Sequence, residues 1–215
     1  DSTSAGNDAT PNGTVDLTAT GQVAGAIALA GIGHLDLPTN EAGLGMHTNS
    51  FTVSVWYKKG TLTGNHIIIA GESNGGATAY RGFSLFATSS TLYSWFADAD
   101  LNRRQLSRGG DTADVWTHGA LIWNKTDETM RLYRNATLSG PTDAVDHAVT
   151  AVLIDIGAAN GGQRFIGLID EVRISLGDRG ADWIATEYAN QSDPGSFASA
   201  AEEEMLPRCT QLIIH

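Results

Sequence analysis

The strongest constraint in this sequence is a rhythm of short apolar stretches, rich in β-branched and aromatic side chains, each closed by glycine or another turn former. Phe51-Thr52-Val53-Ser54-Val55-Trp56-Tyr57 alternates strictly, so Phe51, Val53 and Val55 share one face while Thr52 and Ser54 take the other. A period of two marks a strand with one buried face rather than a helix. Residues 25–29, 34–37, 66–70, 82–87, 91–97, 116–124, 129–134, 152–157 and 165–175 read the same way. Many short strands, with 25 glycines to turn between them, predict an all-β fold: a two-sheet antiparallel β-sandwich. One short C-terminal helix is predicted near residues 181–190, where Ile184, Glu187 and Tyr188 share a face, and it is expected against one end or edge of the sandwich. Residues 1–200 read as one domain, and residues 201–215 as an appendage without a derivable role.

Composition narrows the function. With 24 acidic against 13 basic side chains, the 215-residue chain carries a net charge of -11, which argues against nucleic acid, because phosphate affinity comes from clustered Lys and Arg. The single cysteine, Cys209, removes disulfide frameworks and cysteine-ligated zinc, leaving burial and oxygen-ligated metal as stabilisers. No apolar run reaches the roughly 20 residues of a membrane-spanning helix, so direct membrane insertion is not expected. Asp1-Ser2-Thr3 opens the sequence without the charged and apolar regions of a signal peptide.

The segment Phe165-Ile166-Gly167-Leu168-Ile169-Asp170-Glu171-Val172-Arg173-Ile174-Ser175 changes parity midway. Phe165, Gly167 and Ile169 keep one parity, Val172 and Ile174 the other. If both sets face the core, one extra residue sits at Asp170-Glu171, which predicts a β-bulge there.

Three segments in order carry a resemblance. Asp1-Ser2-Thr3-Ser4-Ala5-Gly6-Asn7-Asp8-Ala9-Thr10 is similar to a D-S-S-G-N-G-N-D-G-T opening, departing at Ser4, Ala5 and Ala9. Phe51 to Trp56, Trp116-Thr117-His118 and Met130-Arg131-Leu132-Tyr133 resemble F-T-V-S-x-W, W-x-H and L-Y-x-D-G, with Asn135-Ala136 in place of Asp-Gly. That departure from the tight-turn signature predicts a looser or differently turned hairpin. Phe165 to Ile174 matches F-x-G-x-I-D-E-V-R-I, the most specific of the three. Together they resemble the laminin G-like branch of the concanavalin A-like lectin/glucanase jelly rolls, in particular bacterial extracellular versions. The resemblance implies a jelly roll with a Ca2+ site between the N-terminal segment and the bulged strand, its ligands Asp1, Asn7 and Asp170. Calcium takes about six to eight oxygens, which Asp- and Asn-bearing loops supply. In the alternative reading, Asp170 caps a turn or pairs with a nearby Arg.

Catalysis is not expected. Glucanases of this fold class place acidic residues at alternating positions on one strand, in E-x-D-x-x-E, and no strand here has that pattern. Ser84, Ser94 and Ser107 lack a G-x-S-x-G elbow, and the 6 histidines show no paired metal-binding spacing. Aromatic stacking on sugars points to Tyr80, Tyr93, Trp95 and Trp123. If Leu92 and Phe96 face inward, Tyr93 and Trp95 form an exposed pair next to Asp98, Asp100, Arg103 and Arg104, a surface suited to ligand binding; core packing explains the pair equally well. The expected function is a calcium-stabilised extracellular binding or adhesion module that recognises carbohydrate or a cell-surface protein, within a larger secreted or envelope protein. A structural assembly module, contacting neighbouring modules, is the alternative, ahead of a glycoside hydrolase.

Overall fold

The computed structural model describes residues 6–60, 63–72, 81–98, 100, 102–143, 153–159 and 162–197. Asp1, Tyr80, Cys209 and the 201–215 appendage lie outside the described residues. The strands are β1 (Thr10–Thr20), β2 (Gly25–Asp36), β3 (Phe51–Lys59), β4 (His66–Glu72), β5 (Gly82–Ala87), β6 (Thr91–Ala97), β7 (Arg103–Gly109), β8 (Thr117–Asn124), β9 (Thr129–Arg134), β10 (Thr137–Asp143), β11 (Asp155–Ile156) and β12 (Ile166–Leu176). Helices α1 (Gly180–Ser192) and α2 (Pro194–Phe197) follow.

Hydrogen bonding runs β10-β9-β8-β3-β12-β2-β11-β4-β5-β6-β7, with β1 paired to β2. The path folds over on itself, so that Phe51 of β3 meets Phe83 of β5 and Phe96 of β6 edge-on, at 5.6 and 5.7 Å between ring centroids. These contacts join the two layers across one core that also holds Val53, Ile69, Leu85, Leu121, Phe165 and Ile169. Each such side chain contributes about 1.5–3 kcal/mol on burial. At the ends of the path, Arg108 donates to the Leu138 carbonyl and Ser139 to that of Ser107, which nearly closes the sandwich.

The alternating segments become strands, with 25–29 and 34–37 joined in β2. β1, β7 and β10 were not expected. β1 is mostly exposed, and β7 reads Arg103-Arg104-Gln105-Leu106-Ser107-Arg108, too polar to signal a buried face. The parity change does produce a bulge: the register of β12 against β3 shifts between Asp170 and Arg173, and Glu171 takes φ 51°. Ile169 lies in the core before the bulge, and Val172 and Ile174 pack against it afterwards.

Two expectations are corrected. The β9–β10 connection is not loose: Asn135 and Ala136 have φ 49° and 58°, a two-residue primed turn, and the Asn135 Oδ1 accepts the His118 N–H at 2.8 Å. Helix α1 lies on the outer face of β3, β8 and β12, not at an end or edge. That face carries polar groups that need partners, and the helix supplies them. Glu187 accepts from Ser54 Oγ at 3.1 Å and from Arg173 Nη1 at 2.7 Å, and its other oxygen lies 3.3 Å from His118 Nε2. Trp56 Nε1 donates to Gln191 Oε1 at 2.7 Å, and Tyr188 stacks on the Trp56 ring. Ile184 adds an apolar contact with Ala120, Ile122 and Tyr133.

Candidate functional site

The outer face of β4 to β7 carries side chains in rows fixed by register. One row is Ile67, Phe86, Tyr93 and Ser107; the next is Ala70, Ser84, Trp95 and Gln105; the third is Glu72, Gly82, Ala97 and Arg103. A register shift between Ile67 and Ile69 brings Ile67 to the same face as Ala70. Ile67, Ala70, Phe86, Trp95 and Ala97 form a second apolar cluster, separate from the core, with Tyr93 partly buried against it. Tyr93 stacks on Phe86 at 5.1 Å, and the Arg103 guanidinium lies over the Trp95 ring at 5.0 Å. Asp98 accepts backbone N–H bonds from Asp100 and Asn102, shaping the turn that delivers Arg103.

A solvent-open pocket forms here. Phe86, Trp95 and Ile67 give it an apolar floor, and Asn65, Gln163, Glu72 and Arg103 give it polar walls. The unusual member is Glu72. It is 2% exposed, and its Oε2 has no hydrogen-bond partner among the described residues. Burial pushes its carboxyl up to about 8; the Arg103 charge opposes the rise and the Asp155 charge adds to it. At neutral pH Glu72 is therefore mostly a neutral acid, able to donate as well as accept.

Of the residues expected to bind ligand, Tyr93, Trp95 and Arg103 share this face. Arg104, paired with Phe96, points to the other. Leu92 and Phe96 do face the core, yet Tyr93 and Trp95 are not an exposed pair: Tyr93 is half-buried and Trp95 is 3% exposed. Both faces of β6 are covered, the outer one by the second cluster and by Arg103.

The corner expected to hold calcium is built differently from the pocket. Asp170 is buried, and its Oδ2 accepts the N–H groups of Gln22 and Val23 at 2.8 and 3.0 Å, while Oδ1 accepts that of Glu171 at 2.7 Å. The carboxylate thus caps the turn closed by Gly21 N–H to Ala24 O. Gly21 is needed there because a Cβ would fall 2.3 Å from Asp170 Oδ2. A cation ligated by Asp170 would share its oxygens with these three donors. Asn7 is half-buried in the segment before β1, and Asp1 lies outside the described residues.

A further polar cluster escaped the sequence reading. His34 and Asp36 of β2 and Asp155 of β11 have side-chain ligand atoms within 4.8 Å of one another. The signal was present in His34-Leu35-Asp36, where alternation puts both polar groups on one face. They are already bonded: His34 Nε2 lies 2.9 Å from Asp36 Oδ1, Asn12 donates to Asp36 Oδ2 at 3.1 Å, and Arg164 Nη1 lies 3.5 Å from His34 Nδ1. Glu72, Asn65 and Gln163 were also missed, since only tertiary packing brings them to Trp95.

Comparisons with known proteins bear on this geometry. The family model of the concanavalin A-like lectin/glucanases superfamily matches residues 30–185. No curated protein matches the chain. Among solved structures, the receptor binding domain of botulinum neurotoxin mosaic serotype C/D superposes with TM-score 0.67 at 17% identity, over 87% of this chain and 47% of that one. The botulinum neurotoxin serotype G binding domain gives TM-score 0.64 at 15% identity, over 87% and 48%. The CBM40 of Ruminococcus gnavus IT-sialidase, bound to α2,3-sialyllactose, gives TM-score 0.65 at 16% identity, over 76% and 96%. The chain thus spans about half the length of the neurotoxin domains, and at these identities the likeness shows the fold.

Proposed function

Because the chain belongs to the concanavalin A-like lectin/glucanases superfamily, we propose that it is a binding module whose ligand, a carbohydrate, enters the pocket on the outer face of β4 to β7. The observation that carries this reading is the pocket itself: a floor of Phe86 and Trp95 beside polar walls and a buried carboxyl, one of whose oxygens has no partner among the described residues. Apolar floors with a few convergent polar groups are the usual form of small-ligand sites. The sialyllactose-bound CBM40 and the receptor-binding neurotoxin domains support a binding role on this fold. A hydrolytic role finds less support, because Glu72 is the one carboxylate lining the pocket among the described residues, and glycoside hydrolysis uses a pair.

A glycan array tests the reading, followed by N65A and Q163A, which remove polar walls without touching the core. Binding of a defined glycan, weakened about tenfold or more by these changes, supports it. Silence on the array together with concentration-dependent self-association supports an assembly module instead. Among the described residues no helix is long and apolar enough to cross a membrane, and the setting proposed is the bacterial cell surface or exterior. Calcium at the Asp170 corner, with Asn7 and Asp1, belongs to the proposal through the family resemblance. A melting midpoint that rises with calcium and loses that rise in D170N supports the ion; a midpoint unmoved by calcium or chelator removes it.

A further inference from the structure

We propose that Glu72 and Arg103 form a subsite for the oxyanion of an acidic sugar, a carboxylate or a sulfate. The inference rests on the pocket's being the glycan site and names the class of glycan it selects.

Glu72 and Arg103 stand on one register row, separated only by Gly82 and Ala97, so no large side chain intervenes on that row. Arg103 is exposed, and the Trp95 ring and the Gln105 side-chain oxygen hold its guanidinium in place. A planar guanidinium matches carboxylate or sulfate with two parallel hydrogen bonds. On the same row, the Glu72 Oε2 is buried with no hydrogen-bond partner among the described residues, a costly state that a ligand oxygen relieves. With its carboxyl pushed up to about 8 by burial, Glu72 is protonated at neutral pH and presents an O–H where a carboxylate would repel an anion.

Asn65 and Gln163 add amide donors, so the lining carries the single positive charge of Arg103 within a chain of net charge -11. A cationic ligand meets Arg103 and is disfavoured, while a neutral sugar leaves that charge unmatched. The charged groups acting on Glu72 are Arg103 from β7 and Asp155 from β11. Glu41 also approaches these strands: its Oε1 would sit 2.7 Å from a Cβ on Gly71 and 3.1 Å from one on Gly82. An anion bound beside Glu72 strengthens its hold on the proton. Binding is thus coupled to protonation, and affinity falls about tenfold per pH unit once Glu72 ionises in the free protein.

The test uses the whole chain on an array of uronate-, sialate- and sulfate-bearing oligosaccharides beside their neutral cores. Titration calorimetry of the best acidic ligand then runs from about pH 6 to about pH 9.5. The expected result is a preference of tenfold or more for acidic over neutral forms, the carboxylate and sulfate arms telling which oxyanion is taken. Affinity should decline above about pH 8 in the wild type and lose that decline in E72Q. R103Q, at an exposed position, should lose the acidic preference. Neutral cores bound as well as acidic ones, or a wild-type affinity flat across pH, would overturn the subsite while leaving the pocket as the glycan site. Binding of no glycan overturns both.

Discussion

At the scale of single residues, two backbone demands and one buried acid give separate outcomes. Ala136 holds φ 58° in the β9–β10 turn, a conformation that costs an L-residue about 1–2 kcal/mol and glycine nothing. Glycine also loses more chain entropy, about 0.4–1 kcal/mol, so A136G should stabilise the fold by roughly 0.5–1 kcal/mol in urea melts. Asp170 engages three backbone N–H groups, and D170A should cost about 2–4 kcal/mol, because donors beside a buried carboxylate lose their acceptor. Glu72 works in the other direction. Its carboxyl sits near 8 in the folded chain against 4.5 when unperturbed, so the folded state keeps a proton that the unfolded state releases. Its contribution is most favourable below the unfolded value, weakens as pH rises from there to about 8, and then levels. E72Q should therefore melt higher than wild type at pH 8 and show no such advantage near pH 4.

At the scale of elements, helix α1 is held to its sheet mainly by polar groups. Burial raises the Glu187 carboxyl, but hydrogen bonding and charge from His118, with bonds from Arg173 and Ser54, outweigh it and hold the carboxyl below its ordinary value. This stabilisation is complete above the unfolded value and is lost as pH falls through the lowered folded one. Protection factors for amide hydrogen exchange across residues 180–192, corrected for the intrinsic rate, should fall as pH drops below the ordinary carboxyl value of 4.5, and E187Q should show the lower protection at neutral pH. The strands with a buried face were legible because alternation is a local signal. β7 and β1 were not, because they contribute wet sheet edges whose polar sequences resemble loops. The bulge at Asp170-Glu171 was legible from a parity count alone. What its carboxylate does was not, since Gln22 and Val23 lie 147 or more positions away and only the folded register brings them near.

At the scale of the whole molecule, the sandwich buries one large core between its layers and a second, smaller apolar cluster on the outer face of β4 to β7. Tyr93 and Trp95 were legible as candidates because they alternate on one strand, and Arg103 because it follows them closely in sequence. Their real arrangement was not, because covering Trp95 requires Arg103 to fold back over it. Glu72 ends an apolar strand and looks like a solvent-facing terminus in the sequence, yet the packing of β4, β5 and the Gln163 segment buries it. Among the described lining residues the charged or titratable ones are Glu72 and Arg103, a pairing that only the fold reveals. The central claim is that this outer-face pocket is the binding site, and an NMR titration with the strongest array glycan tests it directly. The chain has 5 tryptophans and so 5 indole N–H signals. The Trp95 signal should shift with the backbone amides of β4 to β7 while that of Trp123, in the core, stays fixed. Shifts confined to the α1 face or to the Asp170 corner would contradict it.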